Sequence, residues 1–275
     1  MGIIKISNIR KKDKDYVKII NFPECALCNQ SKELVESHII SKMFYKWIKA
    51  TTKSKIPRFR SIDDKISQDG YKIYLLCLDC ENYFSKFETY FSSKIYQPTI
   101  NNIHKNVKYD IRLIKFIVSI GWRFLYVYLK QKSDAPTYLK WYERHWKEFL
   151  TDKSKKLKTN HYLYPSNPQI EDEYITDYLN LFIYRSVGCD LSTFMNHNFI
   201  WVQIPFYTIV YPLRPLNLKG YDPCKIQYQG ILRLNQPHII YLSDFSLAAF
   251  ILDKCREISE TFHIDDKFKG NVFSD

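Results

Sequence analysis

Glycine is scarce in this chain, with 7 among 275 residues, which leaves few flexible joints and argues against a long unstructured linker. No G-x-x-x-x-G-K, G-x-G-x-x-G or G-x-S-x-G occurs, so P-loop nucleotide hydrolysis, a dinucleotide cofactor and serine-hydrolase chemistry are unsupported. A long hydrophobic run free of charge is also missing. The longest apolar stretch, Leu113 to Leu129, contains Lys115 and Arg123; charges within a span are expensive, so it reads as a buried helix and not a membrane crossing. The segment MGIIKISNIRKKDKDY has no apolar run of signal-peptide length after its charges, and Ile6 stands where a myristoylation motif needs Ser or Thr. The expectation is a cytoplasmic protein with no membrane attachment. There is no internal repeat or low-complexity tract, and His104, His145, His161, His197, His238 and His263 show no H-x-x-x-H or H-E-x-x-H spacing, so no metal is assigned to them.

Aromatic side chains are abundant: 22 Tyr and 18 Phe within a 45% apolar composition exclude a disordered chain. The length suffices to bury a sizeable core in one domain or two small ones. Lys and Arg number 41 against 29 Asp and Glu, a formal charge of +12 with pI near 9.2. Such a surplus favours a polyanionic partner, nucleic acid above all, through phosphate neutralisation. The Lys-, Ile- and Asn-rich usage of an AT-rich genome gives a similar surplus, and charge alone does not separate nucleic acid from an anionic membrane surface.

Seven cysteines include two C-x-x-C pairs, Cys25/Cys28 and Cys77/Cys80, a pattern of metal binding and not of disulfides in a reducing compartment. The first pair follows Pro23 as a tight knuckle. The second lies where an apolar run, Ile73 to Leu76, meets a helical pattern carrying Phe84, Phe87, Phe91 and Ile95 at spacings of three and four. A helix N-terminus favours thiolate there. Four thiolates close a tetrahedron with no open position, so the expected ion is one structural zinc. Cys189, Cys224 and Cys255 stand singly in apolar surroundings and read as core residues.

These landmarks give an α+β fold with two parts: residues 1–97, a zinc-binding module, and residues 98–275, a helical middle with a small antiparallel C-terminal sheet and a terminal helix. A strand is expected over Val35 to Ile40, a helix over Lys42 to Lys49, and a loop or irregular hairpin over Lys49 to Gln68. Pro98 is expected to end the Phe84 helix. Further helices are expected over Asp110 to Gln131, Tyr138 to Leu150 and Glu171 to Val187. Beyond Asn198, the stretches FIWVQIPFYTIVYPL, CKIQYQGILRL and PHIIYL read as three or four antiparallel strands, and Ser243 caps a last helix to about Phe262.

The pieces CALC, SHIISK and YLLCLDCENYFSKFE resemble the zinc-stabilised HNH endonucleases, closest to a bacterial group with S-H-I-I and C-E-x-x-F-S-K-x-E signatures, some associated with phage defence or mobile elements. The resemblance covers residues 23–97, about a quarter of the chain. It implies a treble-clef (ββα-metal) module in which His38 is the general base, a role suited to a neutral imidazole. It implies that a catalytic Mg2+ or Mn2+ is held near Glu81, which stands where the family has a His after the second cysteine pair and offers a hard oxygen ligand. Ser37 replaces the usual Asp or His ligand, Lys72 falls near the family's middle Asn, and Glu88 lies two helical turns beyond Glu81; these are weaker candidates. Helix first-turn stabilisation accounts for Glu81 equally well. Arg58 and Arg60, with Lys53 and Lys55, could grip phosphates from the intervening loop or form a solvated basic loop.

The functional expectation is a metal-dependent endonuclease acting on nucleic acid, DNA by preference, as a homodimer or under a regulatory partner. The alternative is a catalytically inactive zinc module that binds nucleic acid or protein. Trp141, Tyr142 and Trp146 could stack bases, although aromatics at helical spacing more often build a core.

Overall fold

The computed structural model describes residues 22–51, 59–60, 66–67, 70–103, 105–165, 187–194, 197–213 and 224–234. The helices expected over 171–187 and 243–262 and the strand PHIIYL lie outside these residues, save Val187.

The chain is a mixture of helix and antiparallel sheet. Strand β1 (Leu34–His38) is followed by helix α1 (Lys42–Thr51) and the two-residue strands β2 (Phe59–Arg60) and β3 (Ile66–Ser67), which pair with each other. Strand β4 (Lys72–Cys77) runs antiparallel to β1 and leads directly into α2 (Leu78–Phe91). Buried Phe84, Phe87 and Phe91 form the expected inward stripe of α2.

Pro98 does not end that helical path, contrary to expectation. A π-helical turn at Ser92–Tyr96 shifts the hydrogen-bond register, and Pro98 falls at the start of α3 (Gln97–Ile100), where a missing N–H costs little. The Thr99 hydroxyl donates to the Ile95 carbonyl at 2.8 Å, supplying a partner inside the widened turn.

Strand β5 (Lys105–Tyr109) precedes α4 (Ile111–Gln131), whose N-cap Asp110 accepts from the Arg112 amide. Every residue from Leu113 to Leu125 is buried, the pattern of a central core helix and not a surface one. Among the described residues no helix is long and apolar enough to cross a membrane. At Gly121 the helix comes so close to the sheet that a Cβ would lie 2.5 Å from the Tyr211 ring, while the Tyr211 hydroxyl donates to the Ile117 carbonyl at 2.8 Å. Helix α5 (Thr137–Thr151) packs beside α4 through Leu139, Trp146, Phe149 and Leu150.

Strands β6 (Tyr162–Pro165), β7 (Gly188–Phe194), β8 (His197–Ile204) and β9 (Tyr207–Pro212) form one antiparallel sheet in the order β6-β9-β8-β7. The stretch FIWVQIPFYTIVYPL forms the β8–β9 hairpin. Strand β10 (Gly230–Leu234), taken from the sequence as part of that sheet, instead pairs with β5. The β8–β9 turn places Phe206 at φ 71, a left-handed conformation uncommon for a bulky residue. Packing compensates: the Phe206 ring meets Trp47 of α1 at 5.1 Å, and the Tyr207 hydroxyl lies 2.5 Å from that of Thr99. One continuous apolar cluster runs from Cys25 to Leu234, with Phe91 stacked on Phe116 at 4.2 Å near its middle.

Candidate functional site

The first C-x-x-C pair is held by its own backbone. The Asn29 amide donates to the Cys25 carbonyl at 2.8 Å, the Cys25 amide to Gln30 at 3.0 Å, and Asn29 takes a left-handed φ of 58, which Asn tolerates well. The Ala26 amide donates to the Leu75 carbonyl at 3.0 Å, anchoring this knuckle to β4. Cys77 ends β4 and caps α2, and Cys80 lies in the first turn. All four sulfurs fall within 4.8 Å of one another, and Cys28 Sγ is 3.9 Å from Cys77 Sγ.

That spacing suits a metal ion better than a disulfide. Four Zn–S bonds of about 2.3 Å in a tetrahedron put the sulfurs roughly 3.8 Å apart, whereas a disulfide needs about 2.05 Å. The four side chains are free cysteines, three of them buried. Burial opposes ionisation of Cys25, yet the amides of Cys28, Cys77 and Leu27 face its sulfur and bring the thiol down to about 7. Burial pushes Cys28 and Cys80 upward. A cation reverses that penalty by binding the sulfurs as thiolates, so the donor set fits zinc.

A second polar cluster lies beside the cysteines. Ser37, fully buried on β1, donates to Glu81 Oε2 at 2.8 Å across 44 residues of sequence. Burial pushes the Glu81 carboxyl upward, while the Arg123 charge and the Ser37 hydrogen bond pull it back. Glu88 uses both oxygens: Arg123 Nη2 donates to Oε1 at 2.8 Å and Ser41 Oγ to Oε2 at 2.9 Å. Arg123 is 1% exposed, lies 5.0 Å from the Phe84 ring centroid and donates through Nη1 to the His38 carbonyl at 2.6 Å. The guanidinium of α4 thus holds both the strand end that carries His38 and the α2 carboxylate that binds Ser41.

The sequence candidates separate in this geometry. Ser37 and Glu81 touch, and Glu88 joins the same cluster through Arg123. The His38 ring is half-buried and neighbours Tyr45 at 6.1 Å. Lys72 pairs with His38 in the β1–β4 register, but its ammonium lies 3.6 Å from Glu36. Arg58, Lys53 and Lys55 lie outside the described residues, and Arg60 is placed by its backbone alone in β2.

Sequence reasoning missed Arg123 and Ser41. The signal was present: a permanently charged residue inside an otherwise apolar helix requires a buried counter-charge. The charge that argues against a membrane span also points to the carboxylate it pairs with, Glu88. No family model, curated protein or solved structure matches the chain.

Proposed function

We propose that this chain is a zinc-organised, metal-dependent endonuclease of HNH-like type acting on nucleic acid, DNA by preference. The observation that carries the reading is the 2.8 Å approach of Ser37 and Glu81 next to His38, on a strand tied to the four-cysteine cluster. Glu81, with Ser37, would hold Mg2+ or Mn2+, whose chemistry is stabilisation of the leaving oxyanion. His38 would accept the proton of the attacking water, a role suited to an imidazole. The surplus of 41 basic over 29 acidic residues favours a polyphosphate substrate.

One observation favours a second reading, a binding module without catalysis. Ser37 satisfies Glu81, while Ser41 and Arg123 satisfy Glu88, so Arg123 already brings positive charge to this cluster.

Plasmid cleavage separates the two. The nuclease reading predicts nicking with added Mg2+ or Mn2+, reduced at least about 100-fold in His38→Ala and strongly in Glu81→Gln, while zinc content and helical circular dichroism persist. Salt-sensitive DNA binding with no cleavage under any divalent ion would replace it with the binding module.

A further inference from the structure

Helix α5 divides its aromatics between two environments. Trp146 is fully buried, whereas Trp141 keeps 41% of its surface open. Five residues on a helix turn a side chain by roughly 140°, which accounts for the split. The Trp141 ring is nevertheless held in place. It stacks on His145, with centroids 4.9 Å apart and planes at 14°, and His145 Nε2 accepts the Lys158 amide at 2.9 Å. One face of the indole is thereby backed by an imidazole pinned to the following loop.

That loop is basic and has a defined shape. Asp152 Oδ1 accepts the Ser154 amide at 2.8 Å and its hydroxyl at 2.7 Å, and the Leu157 amide donates to the Tyr228 hydroxyl at 2.6 Å. Lys153, Lys155, Lys156 and Lys158 are all exposed. Tyr228, itself 41% exposed, stands at Leu157, so two half-open aromatic rings adjoin one lysine loop.

Between Lys140 and Lys158, seven Lys and Arg face three carboxylates. Of those three, Glu143 accepts the Trp122 indole at 2.8 Å and Asp152 is spent on its turn. Lys147 reaches Asn29 at 2.7 Å, so the basic face continues to the cysteine knuckle.

We propose that the outward face of α5 and the Lys153–Lys158 loop bind single-stranded nucleic acid, with Trp141 and Tyr228 as stacking platforms and the lysines and Arg144 as phosphate contacts. Half-open aromatic rings in a basic surface suit unpaired bases, because a base must leave its duplex neighbours to stack on a side chain. A membrane-binding helix would turn an apolar face outward; the apolar face of α5 points into the core. The surface goes beyond the nuclease reading and stands without it, since binding needs no cleavage.

The test is fluorescence anisotropy of a labelled oligothymidylate with the full chain, zinc retained and no Mg2+ or Mn2+ added. Trp141→Ala weakens binding about tenfold with unchanged circular dichroism, because the removed ring packs on the surface. Lys155→Ala/Lys156→Ala flattens the dependence of log K on log salt by about 1.4. Duplex DNA competes poorly. Wild-type affinity in Trp141→Ala, equal competition by duplex, no oligonucleotide binding, or binding to phosphatidylserine vesicles in its place overturns the proposal. Trp141-dependent binding without cleavage after Mg2+ or Mn2+ addition upholds this surface and overturns the nuclease reading. Cleavage with binding indifferent to Trp141 does the reverse.

Discussion

From Phe22 to Tyr96 the regular elements are short, with strands of two to six residues and helices of five to fourteen, and four cysteines converge among them. From Lys105 to Leu234 order rests instead on a 21-residue buried helix and a four-stranded sheet. Short elements bury little apolar area of their own, and a metal held by the four cysteines would add a cross-link to them; a long helix buried on all sides has less need of one. The two regions meet at polar groups as well as at packed rings. A buried ion pair contributes little net stability, because desolvation offsets its Coulomb attraction. What Arg123 supplies is geometry, since it fixes the His38 strand end against α2 and α4.

Breaking that junction should give the largest effect. Arg123→Met removes the cation from Glu88, and loss of one partner of a buried pair costs on the order of 3 kcal/mol. Chemical denaturation measures the loss, and Arg123→Met/Glu88→Met should recover most of it. A cost below about 0.5 kcal/mol would mean that the two regions do not depend on this contact.

Acid gives a smaller, graded effect that sharpens the contrast, because the second region has its own titrating group. His161 lies fully buried, and burial depresses its imidazole to about 3; burial moves His145 in the same direction. Its folded pKa lies below the unfolded value of about 6.5. The neutral ring's contribution is therefore complete above about pH 6.5 and is lost as pH falls from there toward 3, at about 1.4 kcal/mol per pH unit for one proton. His161→Phe should flatten stability against pH by that amount with zinc in excess. An unchanged slope would remove His161 as a source of acid sensitivity.

Much of this architecture was legible locally. The cysteine spacing pointed to one cluster, and apolar periodicity marked α2, α4 and α5 to within a few residues. Strands β5 and β7, with the sequences KNVKY and GCDLSTF, carry too many polar residues to announce themselves. The pairing of β10 with β5 joins segments more than 100 residues apart and has no local signature. Pro98 misled because a change in hydrogen-bond register is invisible to a rule about single residues. At the site, the HNH resemblance implied that Ser37 and Glu81 share one cluster, whereas the Arg123–Glu88 pair depended on how α4 packs. Periodicity alone also left open which of Trp141 and Trp146 would face water.

One zinc held by the four thiolates would organise the first region. Metal analysis joined to zinc X-ray absorption on the purified full chain tests this most directly. The expected result is one zinc per chain with four sulfur neighbours at about 2.3 Å, lost in Cys77→Ser. Substoichiometric metal, or a shell of nitrogen and oxygen, would contradict it.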